Sequence, residues 1–153
     1  RFFDPQDKDG LFLEYVTRLW QAGVVIDHAY VHTVQGLGVY DWFQVRTQIK
    51  PSVLLKSICG ELKKGSPHMH QRVLDVALVS ESSQEWVLSF RGLDKKGVLL
   101  IAAQALHALG LQIRWAKIHT WGRQIEDVFA VIPVENRGAM EWTQELKKRL
   151  MNS

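Results

Sequence analysis

The chain repeats itself. Residues 7–33 overlie residues 94–120 at a constant offset of 87, and ten of the 27 pairs are identical: Asp7/Asp94, Lys8/Lys95, Gly10/Gly97, Leu13/Leu100, Leu19/Leu106, Gly23/Gly110, Ile26/Ile113, Ala29/Ala116, His32/His119 and Thr33/Thr120. Random pairing at ordinary residue frequencies gives roughly two. After a one-residue slip, Asp41/Asp127, Phe43/Phe129 and Val45/Val131 match at an offset of 86. The slip falls between the turn-like stretches 34–38 and 121–123, where a change of length costs little. One structural plan used twice, in units of about 70 residues, is the expectation.

Each copy reads alike. Apolar residues at helical spacing predict helices over 10–22 (Leu11, Phe12, Tyr15, Val16, Leu19) and over 97–109 (Leu99, Ala102, Ala103, Leu106, Leu109). Gly23 and Gly110 stand where a helix ends in the left-handed conformation. Two β-rich runs follow in each copy, 24–34 with 39–46 and 111–121 with 123–132, and glycine-containing turns make each pair a hairpin. Second helices are predicted over 51–62, with Pro51 in the first turn and Leu54, Leu55, Ile58 and Leu62 on one face, and over 138–151. Residues 72–79 read as a strand closing the first copy, and 85–90 as the strand opening the second. The expected division is therefore a first module over 1–79, a linker over 80–84 and a second module over 85–153. Of the first copy's opening strand only Arg1, Phe2 and Phe3 stand in the sequence, and no closing strand follows the last helix. The C-terminal piece of a longer protein is the expectation.

Composition narrows the function classes. The 46% hydrophobic and 23% charged content is ordinary for a globular chain. A net charge of +3 with dispersed basic residues gives no reason to expect nucleic-acid binding. No apolar run approaches the roughly 18 residues that span a bilayer, so no membrane insertion is expected. The one cysteine, Cys59, rules out a disulfide framework within the chain and suits a reducing cytoplasm; its apolar helical neighbours place it in the core. In a strand, His28 and His32 share a face but stand roughly 13 Å apart, too far for one metal. No metal site and no catalytic nucleophile–base pair is expected. Asp41 and Asp127 read as solvated ends of a strand pair rather than as catalytic acids. Trp115 and Trp121 flank the second hairpin and suit an edge-to-edge contact between modules.

The order strand, helix, strand, strand, helix, strand, with an acidic-basic-x-glycine loop before the first helix, resembles the ACT domain. The second copy, over 92–131, resembles the last ACT repeat of the bacterial PII uridylyltransferase/uridylyl-removing enzymes. It does so through Asp94, Gly97, Leu99-Leu100, Leu109-Gly110-Leu111, Ile113, Ala116-Lys117-Ile118, Thr120, Gly122, Arg123 and the block Glu126-Asp127-Val128-Phe129. The first copy is similar to that family's penultimate repeat through Asp7, Gly10-Leu11-Phe12, Ala22-Gly23, Ile26, Ala29, His32-Thr33, Asp41 and Phe43-Gln44-Val45. There are departures: the family's loop proline is replaced by Asp9 and Lys96, its arginine by Lys8 and Lys95, and the asparagine after the helix-ending glycine by Val25 and Gln112. The implied fold is α+β, two ferredoxin-like βαββαβ ACT modules in tandem, with antiparallel sheets and helices on one face.

The residues support capture of an amino acid better than a reaction. At Gly10 and Gly97 a helix start offers backbone N–H groups and the positive end of its dipole to a carboxylate, and glycine admits the ligand close to the backbone. Asp7 or Asp94 is placed to meet an ammonium group. A loop aspartate that only caps a helix, and a glycine that only turns the chain, explain the same residues. The resemblance implies a ligand set of Asp94, Lys95, Lys96, Gly97, Val98, Gln112 and Ile113, with Asp7, Lys8, Asp9, Gly10, Leu11, Val25 and Ile26 in the first copy. It further implies that the second-strand start of a partnered module, with Asp27 or Arg114 beside it, completes each pocket. Glutamine is the implied ligand, with Gly97 and Gln112 expected to carry more of its binding than their first-copy counterparts. Also implied are contact with the PII signal protein through the parent enzyme, magnesium in the parent's catalytic parts but no cofactor in this chain, and a cytoplasmic location. Exposed sheet edges favour pairing between modules or chains as a homo-oligomer. A stand-alone tandem ACT protein that binds an amino acid or only assembles, and modules reduced to spacers, are the other readings of the sequence.

Overall fold

The computed structural model describes residues 1–6, 10–34, 37–62, 64, 74–93 and 97–152. The chain runs β1 (Phe2–Asp4), α1 (Leu11–Gln21), β2 (Val25–Val34), β3 (Gly38–Arg46), α2 (Pro51–Cys59), β4 (Leu74–Glu81), β5 (Trp86–Leu93), α3 (Val98–Ala108), β6 (Ile113–Trp121), β7 (Gln124–Val131) and α4 (Ala139–Asn152). The fold is α+β: two βαββ units, each followed by a helix, built on one seven-stranded antiparallel sheet of order β1-β3-β2-β6-β7-β5-β4.

The two copies meet edge to edge through their equivalent second strands. β2 and β6 pair antiparallel with His28 opposite His119, Tyr30 opposite Lys117 and His32 opposite Trp115. Adding 87 to each residue of one strand gives the same set of pairs in reverse, so a pseudo-twofold axis passes between Tyr30 and Lys117. The copies even share a defect. Each strand carries a β-bulge at the equivalent place, between Ile26 and His28 and between Ile113 and Trp115. The extra residue swings Asp27 out to a two-oxygen contact with Arg46 at 2.8 Å, and Arg114 out to within 3.6 Å of Glu85.

The helices lie side by side in the order α2, α1, α3, α4. Alternation along the strands aims one set of side chains at them: Ala29 and Val31 from β2, Ala116 and Ile118 from β6, Phe129 and Val131 from β7, Leu88 and Phe90 from β5. These and the apolar faces of α1, α3 and α4 form one core continuous across both copies. Each fully buried Leu or Phe adds about 1.5–3 kcal/mol. α3, flanked by helices on both sides, is apolar on nearly every face, and seven of its residues are buried. A smaller cluster of Leu19, Val24 and Ile58 seats α2. The opposite face of the sheet carries exposed Tyr30, Tyr40, Trp42 and Trp121.

Three expectations need correction. The strand expected to close the first copy exists as β4, but it pairs with β5 and packs on α4, so it completes the second copy's sheet. Ser80 and Glu81, expected in a linker, continue that strand. The physical reason is local: a four-residue turn joins β4 to β5, where Ser82 Oγ accepts the N–H groups of Gln84 and Glu85 and the Ser82 N–H donates to the Glu85 carbonyl. Pairing across so short a loop costs less chain entropy than reaching β1 at the far edge. Next, α2 stops at Cys59, because Gly60 is extended at ψ −176°. Arg18 caps its end by donating to the carbonyls of Ile58 and Gly60. Leu62 therefore lies beyond the helix and is exposed; within the helix Leu55 and Cys59 are exposed as well, so Cys59 is not in the core. Last, Asp41 and Asp127 are buried (2% and 1% exposed), not solvated, because both sit on the helix-facing side of the sheet.

Candidate functional site

The pseudo-twofold axis creates two equivalent cavities of about 120 Å³ each between the copies. One water needs roughly 10–15 Å³ on this measure, so each cavity has room for a small molecule. Each is a composite. One cavity lies at the start of α3, against Gly97, Val98 and Leu99, and its far wall is the start of β2, Val24, Val25 and Ile26. The other lies at the start of α1, against Gly10, Leu11 and Phe12, and its far wall is Leu111, Gln112 and Ile113. A helix start from one copy faces a strand start from the other.

The local sequence explains both walls. Gly10 and Gly97 are the N-cap residues, at φ 81° and 94°, a region costly to side-chain-bearing residues. The N-cap of each helix is a glycine, which has no side chain to close the first turn, and that turn borders the cavity. On the opposite wall, Gly23 and Gly110, at φ 76° and 70°, end α1 and α3 and turn the chain into the next strand. That same turn brings the helix ends into the cavities: Trp20 of α1 lines the Gly97 cavity and His107 of α3 the Gly10 cavity. The His107 ring lies close enough that a Cβ on Gly10 would stand 3.1 Å from its Cε1.

Polar groups in the walls are few. Thr120 and the buried Asp127 line the Gly97 cavity; Thr33, His107 and Gln112 line the Gly10 cavity. Asp127 Oδ1 accepts the backbone N–H of His119 at 3.3 Å, which ties the carboxylate to β6.

Gly97 and Val98 come together with Val25 and Ile26, and Gly10 and Leu11 with Gln112 and Ile113. Gln112 lines the Gly10 cavity and not the Gly97 cavity, because the antiparallel β2–β6 pairing crosses the copies. Asp27 and Arg114 are carried away from the cavities by the two bulges. Asp7, Lys8, Asp9, Asp94, Lys95 and Lys96 lie outside the described residues. Sequence reasoning missed Trp20, His107 and the two threonines as wall residues. The identity of Thr33 and Thr120 in the repeat was a signal for the last pair. Among the described residues, no group of three or more His, Cys, Asp or Glu side chains is placed to hold a metal ion. No described helix is long and apolar enough to cross a membrane.

Comparison with known proteins points the same way over part of the chain. The bifunctional uridylyltransferase/uridylyl-removing enzyme of Mycobacterium tuberculosis is 42% identical over 50 residues, 32% of this chain. That of Bordetella pertussis is 38% identical over 73 residues, 42% of this chain. Part of this chain is related to these enzymes. The matched segments span only 6% and 8% of the two enzymes' lengths. No family model matches the chain, and no solved structure matches it.

Proposed function

We propose that this chain is an amino-acid-sensing regulatory region, two ACT modules in tandem, of a bifunctional uridylyltransferase/uridylyl-removing enzyme, and that glutamine is the sensed ligand. The observation that carries this reading is the pair of composite cavities. An amino acid is a carboxylate and an ammonium on one carbon, with a side chain pointing away. The first turn of α1 or α3, opened by a glycine N-cap, suits the carboxylate. In the Gly97 cavity the buried Asp127 carboxylate suits the ammonium. The strand start across the cavity then faces the side chain.

The sensing mechanism follows from the same geometry. A ligand seated between a helix start of one copy and a strand start of the other bridges them. It thereby favours the paired arrangement by its binding free energy, and a shift of that arrangement is what a linked catalytic region reads. The nucleotidyl transfer, its hydrolytic reversal, magnesium and contact with the PII signal protein belong in this reading to other parts of the parent enzyme. The reading is tested by calorimetric titration of the chain with glutamine and a panel of other amino acids. Saturable glutamine binding with a Kd of about 1 mM or tighter, about −4 kcal/mol or better, is expected. No heat and no rise in melting temperature with any amino acid would contradict it.

A further inference from the structure

The two cavities are built on one plan but are not chemically equal. Most wall positions match between the copies: Gly10 and Gly97, Ile26 and Ile113, Thr33 and Thr120 are the same residue, and Val24 and Leu111 are both apolar. Asp127 lines the Gly97 cavity without its equivalent Asp41 lining the other, and two equivalent pairs that line both differ in kind. Where the Gly97 cavity has Trp20 and Val25, the Gly10 cavity has His107 and Gln112. One cavity thus presents an indole and an isopropyl group, and the other an imidazole and a carboxamide.

We propose that the two cavities take amino acids of different side-chain class, the Gly10 cavity one with a hydrogen-bonding side chain and the Gly97 cavity one with an apolar side chain. The inference rests on the amino-acid-binding reading above and adds to it which cavity takes which ligand. The Gln112 carboxamide has two donor hydrogens and an acceptor oxygen with two lone pairs, enough to serve a ligand amide besides the partner it already has. The His107 ring adds one donor and one acceptor when neutral. Val25 and Trp20 give no acceptor, and Trp20 offers only its single indole N–H. A polar side chain lying against Trp20 and Val25 would trade its water for apolar neighbours at a net loss, whereas an apolar one gains by leaving water; Thr120 and Asp127 of the same cavity are left to the ligand's ammonium end. Val25 and Gln112 both stand at the exposed rims of their cavities, so exchanging them tests recognition without disturbing the core. A chain with two unlike sites responds to two signals, where two like sites would only sharpen the response to one.

The test uses the whole chain, glutamine and leucine as probes, and the substitutions Gln112→Val and Val25→Gln. Melting curves confirm that both variants fold. In the unsubstituted chain, saturating glutamine leaves a leucine site open in calorimetric titration. Gln112→Val weakens glutamine at least tenfold and leaves leucine unchanged. Val25→Gln weakens leucine at least fivefold and leaves glutamine unchanged. Competition of the two probes for the same site, or affinities that neither substitution moves, would overturn the inference while leaving amino-acid sensing intact. Failure of every amino acid to bind overturns the sensing reading, and this inference with it.

Discussion

Single residues set the shape of the cavities. Gly10 holds φ 81° with the His107 ring against it, and a valine there meets both the left-handed backbone penalty and that ring. Gly10→Val is expected to weaken glutamine binding at least tenfold, about 1.4 kcal/mol, in a titration of protein whose circular dichroism is unchanged. Undiminished affinity would show that glutamine does not enter there. Gly38, at φ 118°, is a purely structural case: an added Cβ would collide with the backbone carbonyl of Asp4 on β1. Gly38→Ala should cost about 1–3 kcal/mol in urea unfolding and not alter ligand specificity. Tyr15 offers a pH signature. Burial raises its phenol above the ordinary value, with Asp4, Asp41 and Glu14 adding to the rise and Arg18 opposing it. The folded protein therefore holds this proton more tightly than the unfolded chain. The stability it contributes is complete below about pH 10 and is lost as pH rises through the higher folded value. Tyr15→Phe should flatten the fall of stability with pH above 10. Glycine and apolar roles of this kind were legible in the sequence, because backbone freedom and periodicity are local. The burial of Asp41 and Asp127 was not. Alternation put both on the face of Phe43 and Phe129, but only the completed helix layer shows that this face is sealed.

At the scale of elements, the helices and hairpins follow from local pattern: the 3.6-residue apolar stripe of α1, the left-handed glycines after α1 and α3, and the alternation in β3 and β7. What the pattern withholds is partnership. β4 reads as a strand, and nothing in its own residues says whether it joins β1 or β5. The short turn at Ser82 decides, and α4 then gains a cover from β4. Leu146 of α4 is wholly buried in the shared core and Val76 of β4 is equally inaccessible. Leu146→Ala is expected to lower stability by about 2–5 kcal/mol in denaturant titration, and Val76→Ala by a smaller amount of the same sign. If β4 served the first copy instead, combining the two substitutions would give simple additivity. Joined through one core, they should depart from it by about 0.5 kcal/mol or more. The sites were half legible for the same reason. The repeat singled out the glycines and the strand starts that line the cavities, but which glycine faces which start depends on the direction of the β2–β6 pairing.

In the whole molecule, one symmetric pairing forms both cavities. β2 against β6 joins two sheets into one, removes an exposed edge from each, and aligns the α1 and α3 starts with the strand starts of the opposite copy. In the proposed function an amino acid binds between the copies and not within either one. Backbone amide chemical shifts of the isotopically labelled chain, followed during titration with glutamine, test it most directly. Gly10 and Leu11 of the first copy and Gln112 and Ile113 of the second are expected to move together along one saturation curve. Shifts confined to a single copy, whether at its loop or at its strand start, would contradict it.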